Sequence, residues 1–236
     1  MRHVLVIGAG RSASSLIKYL LDHSEKENLH VTIGDLSEDL AKQKTSNHKN
    51  ATAITFDIFN ETQRKAEIQK ADIVVSMLPA HLHLEVAKDC IVYKKHMVTA
   101  SYISNAMQEL DAAAKENNLV FMNEIGLDPG IDHMSAMKVL DEIRDKGGNI
   151  ILFESFCGGL VAPESDTNLW NYKFTWNPRN VVLAGQGGAA KFIQEGTYKY
   201  IPYSKLFRRT EFLEVEGYGR FEAYANRDSL KYRSVY

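Results

Sequence analysis

Cysteine is scarce in this chain: Cys90 and Cys157 are the only two among 236 residues. They are far apart and form no Cys-x-x-Cys pair, so the sequence excludes a disulfide framework and a zinc-ribbon type of metal site. We therefore expect no bound metal. The same scarcity indicates a reducing compartment, and we expect a cytoplasmic protein.

An excess of charge and long apolar runs are lacking as well. The formal net charge is −2, which gives no reason to expect nucleic acid or an anionic membrane as a partner. No apolar stretch approaches the length of a membrane-spanning helix, and the apolar start of the chain runs into Gly-Ala-Gly, unlike a signal peptide. Because 44% of the residues are hydrophobic, we expect a soluble globular protein of one large domain or two small ones.

The first stretch of the chain carries the clearest motif. Residues 3–7 are largely apolar and predict a strand buried on both faces, and Gly8-x-Gly10-x-x-Ala13 follows at once. In this motif the first glycine permits a tight turn, the second lets the backbone approach a pyrophosphate, and the small third residue lets a helix pack on the strand. We therefore infer a dinucleotide site. Its phosphate-binding residues are Gly8, Gly10, Arg11, Ser12 and Ala13.

Strand and helix patterns then alternate to about residue 122, and they predict a first helix over residues 12–23, a fifth strand over residues 96–102 and a helix over residues 106–117. This alternation predicts right-handed crossovers and a doubly wound parallel sheet, so we expect an α/β, Rossmann-type NAD(P)-binding domain over residues 1–125. Ligands of such sheets sit beyond the carboxyl ends of the strands. The residues predicted at that rim, besides the glycine motif, are Asp35, Asp57, Ser76, Leu78, Pro79, Ser101 and Tyr102.

Asp35 lies about 20 residues beyond the glycine motif, where an acidic residue would meet the adenosine ribose. Its carboxylate could accept both ribose hydroxyls, and it would repel a 2′-phosphate by on the order of 1 kcal/mol. We therefore expect NAD as the cofactor, with NADP as the alternative. Asp57 ends the third strand, where an adenine ring could lie. An ordinary turn residue at a strand end is the alternative for both aspartates.

The pattern changes after about residue 123, and we expect a second domain over residues 126–236. Asp128 and Pro129 are typical of a helix start, with Asp128 as N-cap, and the helix is predicted to run from about residue 131 to 144. Residues 149–159 predict a strand that runs into a glycine-rich bend. The remainder is rich in aromatic residues and favours strands and loops, so we expect part of an α+β substrate and dimerisation domain.

Several motifs in this chain together resemble the saccharopine dehydrogenase (saccharopine reductase) family of the glutamate-forming type. They are residues 98–102 (VTASY), 126–133 (GLDPGIDH), 157–159 (CGG), 162–164 (APE), 172–176 (YKFTW) and 226–229 (NRDS). The resemblance runs in order along the whole chain. It departs at Val161, where the family usually has proline. Family members continue past the last motif, so the chain resembles an N-terminal portion.

The resemblance implies oxidation of the CH–NH bond of saccharopine with hydride transfer to NAD(P), followed by imine hydrolysis to glutamate and aminoadipate semialdehyde in lysine metabolism. It implies catalytic roles for Tyr102, Asp128 and Cys157. Cofactor contacts are implied for Leu127, Trp176 and Arg179. The expected substrate contacts are Ser101, Tyr102, Asp128, Asn226, Arg227 and Asp228, and an arginine such as Arg227 suits a substrate carboxylate because it binds bidentately.

Structural roles remain the alternatives for these residues: a half-buried aromatic for Tyr102, a helix N-cap for Asp128 and a packed small residue for Cys157. Trp176 could be a core aromatic residue, and Arg227 a surface residue paired with a neighbouring aspartate. Two other functions stay open. One is a related imine-reducing dehydrogenase, and the other is a nucleotide-binding module without turnover. The oligomeric state is also open, with a homodimer as one alternative.

Overall fold

The computed structural model describes residues 1–184, 188–234 and 236. The chain forms two compact units, Met1–Ser135 and Ala136–Tyr236. No helix in these described ranges is long and apolar enough to cross a membrane.

The first unit is built on one six-stranded parallel sheet. Its strands are β1 (Arg2–Ile7), β2 (Leu29–Asp35), β3 (Ala51–Thr55), β4 (Ile73–Ser76), β5 (His96–Thr99) and β6 (Phe121–Met122). They lie in the order β3-β2-β1-β4-β5-β6. This is the doubly wound order of dinucleotide-binding sheets, so the predicted Rossmann-type fold is confirmed.

Helices connect the strands and cover both faces of the sheet. In the first unit they are α1 (Ser14–Asp22), α2 (Glu38–Thr45), α3 (Glu61–Lys70), α4 (His83–Val92), α5 (Asn105–Gln108) and α6 (Asp111–Glu116), and α7 (Ile131–Asp145) follows. The side chains of Ser37, Asn60 and Ser104 cap α2, α3 and α5, each accepting a hydrogen bond from a backbone N–H of the first turn.

The central strand, β1, contributes side chains to two separate apolar clusters, because successive side chains of a strand point to opposite faces of the sheet. Val4 and Val6 pack with Ile17 of α1 on one face, whereas Leu5 and Ile7 pack on the other with residues that include Ile68 of α3. The sheet is therefore buried on both sides, as its near-continuous apolar strands predict.

Three local predictions in this part of the chain need correction. The helix predicted over residues 106–117 is two short helices, α5 and α6. The fifth strand ends at Thr99, before Ser101 and Tyr102, and the helix expected from residue 12 begins with a 3₁₀ turn at Arg11–Ala13. The ladder that joins β5 to β4 ends with the Ser76–Thr99 pair, and the strand ends with it.

The second unit contains α8 (Pro178–Ala184) and two small antiparallel sheets. One pairs β7 (Ala190–Gln194) with β8 (Thr197–Ile201), and the other pairs β9 (Thr210–Val215) with β10 (Gly219–Tyr224). Glu195 and Gly196 join β7 to β8 with φ values of +51° and +71°, which are typical of a tight hairpin turn. The mixture of helix and antiparallel strands is the predicted α+β class.

The prediction of a strand over residues 149–159 is wrong, because this segment forms neither helix nor strand. A strand must pair its backbone N–H and C=O groups with a neighbour. Within the described part of the second unit, the ladders join only β7 to β8 and β9 to β10. Ile151 is 97% exposed, so its apolar character does not reflect burial in a sheet here.

A buried ion pair joins two helices of the first unit. Arg64 Nε of α3 lies 2.6 Å from Asp89 Oδ2 of α4, both side chains are less than 10% exposed, and Arg64 also donates to the carbonyl of Ile58. We predict that Arg64→Leu lowers the free energy of unfolding by about 3–5 kcal/mol, because it leaves the Asp89 carboxylate buried without its partner. Urea denaturation followed by circular dichroism would measure the loss.

Two further variants serve as controls for this prediction. Adding Asp89→Leu to Arg64→Leu should recover much of the stability, because no charge is then left buried. Lys18→Met breaks the exposed ion pair with Asp22 and should leave the denaturation midpoint unchanged. Equal losses in the single and double variants would show that packing, and not charge pairing, explains the effect.

Candidate active site

The glycine motif forms a turn directly after β1. Gly8 has a φ of +106°, and a Cβ atom there would lie 3.0 Å from the backbone carbonyl oxygen of Met77. Its N–H donates to the carbonyl of Gly34 over 2.7 Å. Only glycine suits this position, because both the backbone angle and the close approach of the chain exclude a side chain.

Gly10 differs from Gly8, because neither its backbone angle nor its surroundings exclude a side chain. Its φ is −64°, and a Cβ atom there would meet no atom of the described residues within 4 Å. The protein itself therefore does not demand glycine here, and the open space fits the approach of a bound group to the backbone. Arg11 and Ser12 are exposed on the same turn, whereas Ala13 is fully buried against the sheet.

Asp35 ties this turn to the end of β2. One oxygen, Oδ2, accepts a hydrogen bond from the backbone N–H of Ala9 over 2.8 Å, and Oδ1 accepts one from Ser37 over 2.9 Å. The carboxylate therefore lies beside the glycine turn. Asp57 has a local contact instead, since its Oδ1 accepts from the N–H of Phe59 over 2.9 Å in the turn after β3.

The residues predicted at the end of β4 differ in exposure. Ser76 is 1% exposed, and its hydroxyl contacts the imidazole of His83. Leu78 is half-buried against the core, and Pro79 is exposed where a 3₁₀ turn begins. Only Leu78 and Pro79 therefore have surface that a ligand could reach.

Tyr102 and Asp128 are brought together although they are 26 residues apart in the sequence. The phenol of Tyr102 donates to Asp128 Oδ1 over 2.5 Å, and both residues are exposed. Neighbouring Leu127 is also exposed. This pair combines a hydroxyl and a carboxylate in a position open to a ligand, next to the carboxyl end of β5.

The prediction that Asp128 caps a helix is wrong. Helix α7 starts at Ile131, where the helix was predicted to begin, but Asp128 lies in a closed loop before it, in which the N–H of Gly126 donates to the carbonyl of Pro129 over 2.8 Å. Asp132 accepts from the N–H of Gly130 at the helix start. The Asp128 side chain is directed by this loop toward Tyr102, a contact that local sequence rules do not contain.

Sequence reasoning also missed two residues that support this region. Glu124 accepts from the N–H of Ile103 over 2.9 Å and so holds the loop after Ser101 and Tyr102. His83 is 3% exposed, and its ring nitrogens contact Ser76, Thr99 and Ser101. Burial lowers the pKa of His83 to about 4. Neither residue lies in a recognisable motif, and their partners are distant in sequence.

The remaining predicted residues belong to the second unit. Cys157 and Arg179 are exposed, and Trp176 is 45% exposed. Asn226 and Arg227 are exposed as well. The other cysteine, Cys90, is in the first unit, where burial raises the pKa of its thiol to about 12, so it is unsuited to be a nucleophile.

The motif at residues 226–229 is attached to β7. Asp228 Oδ2 lies 3.3 Å from Lys191 Nζ, and its Oδ1 accepts from the N–H of Leu230. The carbonyl of Arg227 accepts from the N–H of Lys191. The motif's backbone is thus fixed to the small sheet while the guanidinium of Arg227 stays exposed. No group of three or more metal-ligating side chains occurs in the ranges that the structure describes.

The fold and the glycine turn define a Rossmann-type α/β protein. Family models match almost the whole chain: "Saccharopine dehydrogenase NADP binding domain" over residues 4–122 and "Saccharopine dehydrogenase C-terminal domain" over residues 126–236. The chain belongs to the saccharopine dehydrogenase family, as its motifs predicted.

Individual relatives agree with the family match. "Saccharopine dehydrogenase [NADP(+), L-glutamate-forming]" of Pyricularia oryzae is 39% identical over 100% of this chain and 51% of its own. "Alpha-aminoadipic semialdehyde synthase" of Arabidopsis thaliana is 34% identical over 99% of this chain and 24% of its own. The apo structure of the L-Glu-forming enzyme from Saccharomyces cerevisiae superposes with a TM-score of 0.89 at 33% identity, covering 100% of this chain and 52% of that one.

Two facts follow from these comparisons. The chain spans about half the length of the fungal relatives it matches. The names of the N-terminal family model and of the Pyricularia relative carry NADP, whereas Asp35 led us to expect NAD. The comparisons therefore support NADP, the alternative left open by the sequence, and none of these names supports the preference for NAD.

The buried imidazole of His83 makes stability depend on pH. Its folded pKa of about 4 lies below the ordinary value of 6.5, so the unfolded chain binds the proton more readily. Above pH 6.5 the His83 ring is neutral in both the folded and the unfolded chain, so its burial does not lower the free energy of unfolding. As the pH falls from 6.5 toward 4, the unfolded chain takes up the proton and the free energy of unfolding decreases. We predict a loss on the order of 2 kcal/mol over this range. Urea denaturation at several pH values should show a shallower decline for His83→Gln than for the natural chain, and parallel curves would contradict the prediction.

Proposed function

We propose that this chain is the dinucleotide-binding part, with a portion of the substrate domain, of a glutamate-forming saccharopine dehydrogenase. The domain boundary lies near residues 125 and 126 in this proposal. The observation that carries it is the Gly8–Ala13 turn, hydrogen-bonded through Ala9 to Asp35, in a chain that matches this family along its whole length.

The turn and the strand ends would hold a nicotinamide dinucleotide. Gly10 leaves its backbone open to a pyrophosphate, and the exposed Arg11 and Ser12 would line the same turn. Asp35 would face the adenosine ribose. Asp57, Leu78, Pro79, Leu127, Trp176 and Arg179 complete the proposed cofactor contacts, whereas Ser76 is left out because it is buried against His83. These residues would hold a nicotinamide dinucleotide, which would supply the hydride acceptor for oxidation at the carbon next to the secondary amine of saccharopine.

Tyr102 and Asp128 would handle protons at the reacting nitrogen. The amine must lose its proton before it can form a C=N bond, and a carboxylate within reach of that nitrogen can accept it. Tyr102 already donates to Oδ1 of Asp128, which leaves Oδ2 as the oxygen proposed to face the substrate. The phenol would hold the carboxylate in position. Ser101 and Cys157 complete the proposed surroundings of the reacting centre.

The substrate carboxylates require cationic partners. Arg227 is proposed to bind one of them bidentately, because its guanidinium is exposed while its backbone is fixed to β7. Asn226 and Asp228 flank it as further substrate contacts. Asp228 is also paired with Lys191, so it would orient the motif in addition to contacting the substrate.

Two measurements on the purified chain test the proposed function. Calorimetric titration with NAD and NADP should show dinucleotide binding. Absorbance of the reduced nicotinamide, followed with saccharopine at alkaline pH, should then rise. Alkaline conditions favour the neutral amine that hydride transfer requires. A chain that is folded by circular dichroism but binds neither dinucleotide would overturn the proposal.

The partial coverage of the relatives supports a second candidate function. A chain that spans half their length could bind dinucleotide without turning over saccharopine. Binding in the calorimeter together with a flat absorbance trace would select this nucleotide-binding module. A rise with a different secondary amine, and not with saccharopine, would instead select a related imine-reducing dehydrogenase.

The two glycines of the turn offer a matched pair of variants. Gly10→Ala should leave the free energy of unfolding unchanged, because its Cβ meets no protein atom, yet weaken dinucleotide binding by about tenfold. Gly8→Ala should instead lower the free energy of unfolding by about 1–3 kcal/mol, because its φ is positive and Met77 is close. Urea denaturation and calorimetry would measure both quantities. Weaker folding in Gly10→Ala would contradict this division of roles.

Asp35 should decide between the two dinucleotides. We predict that Asp35→Asn raises the affinity for NADP relative to NAD by about fivefold, because it removes the negative charge that opposes a 2′-phosphate. The double variant Asp35→Ser with Leu36→Arg should shift the ratio further, since it adds a cation at an exposed position. Calorimetry with both cofactors gives the ratio. An unchanged ratio in both variants would remove Asp35 from the ribose site.

A further inference from the structure

A cluster of hydroxyl groups surrounds one imidazole beneath the rim of the parallel sheet. His83, the first residue of α4, contacts Ser76 Oγ through Nδ1 over 2.8 Å. Its Nε2 lies 2.8 Å from Ser101 Oγ and 3.1 Å from Thr99 Oγ1. His83, Ser76 and Thr99 are each less than 5% exposed, and Ser101 is half-buried. The cluster therefore joins the ends of β4 and β5 below the surface.

The hydrogen-bond chemistry of the cluster suits a neutral ring. Serine and threonine hydroxyls can donate or accept, so either tautomer of neutral imidazole can be satisfied by the groups on its two nitrogens. None of these partners is a carboxylate, so nothing in the cluster would neutralise a protonated ring. The imidazole is thus a fixed, uncharged link between hydroxyl groups.

The cluster is connected through the backbone to the exposed Tyr102–Asp128 pair. Ser101 precedes Tyr102, and its carbonyl accepts from the N–H of Glu124 over 3.1 Å. Glu124 also accepts from Ile103 on the other side of Tyr102. The turn that carries Tyr102 is therefore held by Glu124 from one side and, through the Ser101 hydroxyl, by His83 from the other.

We propose that His83 is a positioning residue, whose Nε2 fixes the Ser101 hydroxyl and thereby the turn that holds Tyr102 against Asp128. This role deepens the proposed function and rests on it, because Tyr102 and Asp128 are the groups assigned there to proton handling. If His83 only filled space in the core, any side chain of similar volume could replace it. A positioning residue needs a polar atom at the Nε2 end of the ring.

Two amide variants, His83→Asn and His83→Gln, distinguish a residue that only fills the core from a positioning residue. The side-chain amide of His83→Gln reaches the region of Nε2, whereas that of His83→Asn reaches only the region of Nδ1. With fluorotyrosine in the chain and Tyr102→Phe to assign its signal, the fluorine resonance of Tyr102 should move in His83→Asn and return in His83→Gln. Turnover of saccharopine should fall about tenfold in kcat for His83→Asn and recover in His83→Gln, with dinucleotide affinity unchanged.

Two controls keep this test independent of folding and of turnover. His30→Gln alters another histidine whose Nε2 meets a threonine hydroxyl, Thr52 at 2.9 Å, toward the opposite ends of the strands. It should leave the Tyr102 resonance unmoved. Ser101→Ala removes the receiving hydroxyl without changing the imidazole, and should move the resonance as His83→Asn does, with no further change when the two are combined.

Each outcome has a defined meaning. An unmoved Tyr102 resonance in His83→Asn or in Ser101→Ala overturns the positioning role, as does an equal shift in the Asn and Gln variants. If the amide variants fail to fold, Ser101→Ala alone decides. A resonance that responds as expected in a chain without turnover supports the positioning role and counts only against the proposed reaction.

Discussion

Strand β1 is hydrogen-bonded on both of its edges, to β2 on one side and to β4 on the other, and all three run in the same direction. The chain therefore winds outward from β1 in two opposite senses, which opens a crevice at the carboxyl ends of these strands. The turn after β1 must lie in that crevice. Gly8 has no side chain partly because the backbone of Met77, just after β4, closes against it. The crevice, the turn and the contact with Asp35 are thus consequences of one strand order.

The first unit buries polar groups in two ways, and their locations differ. Arg64 and Asp89 neutralise each other between α3 and α4, where a charge pair stabilises the scaffold only while it stays complete. His83 contacts hydroxyl groups and no acidic side chain among the residues that the structure describes, and burial under the rim favours its neutral form. A neutral link suits that place, because it orients hydroxyl groups without adding charge beneath the proposed phosphate and substrate sites.

The second unit supplies a different kind of support. Its hairpins are small, and the contact of Lys191 with Asp228 attaches the 226–229 motif to β7. The apolar core beside this motif is modest and consists of Ala190, Ile201 and Leu206. In the proposed function this arrangement presents Arg227 from a fixed backbone. In this proposal the first unit would bind the dinucleotide in its crevice, and Arg227 of the second unit would bind a carboxylate of the substrate.

The parts of the site that follow from local geometry were predictable from the sequence. The glycine turn, the buried Ala13 and the acid at the end of β2 lie at fixed offsets from an apolar strand, and strand–helix alternation implies the parallel sheet. The same local rules failed at Asp128 and at residues 149–159. There, a short closed loop separates Asp128 from the helix, and the apolar run at residues 149–159 pairs with no strand of the described residues.

The sequence by itself therefore determined the fold class, the family and the turn that the fold presents to a ligand, because these depend on periodicity and on residues close together in the chain. Only the tertiary structure decided which distant groups meet. It joined Tyr102 to Asp128, and it placed His83 under Ser101 and Glu124 behind Ile103. Such contacts arise from the packing of separate strands and loops, and no spacing rule along the chain encodes them.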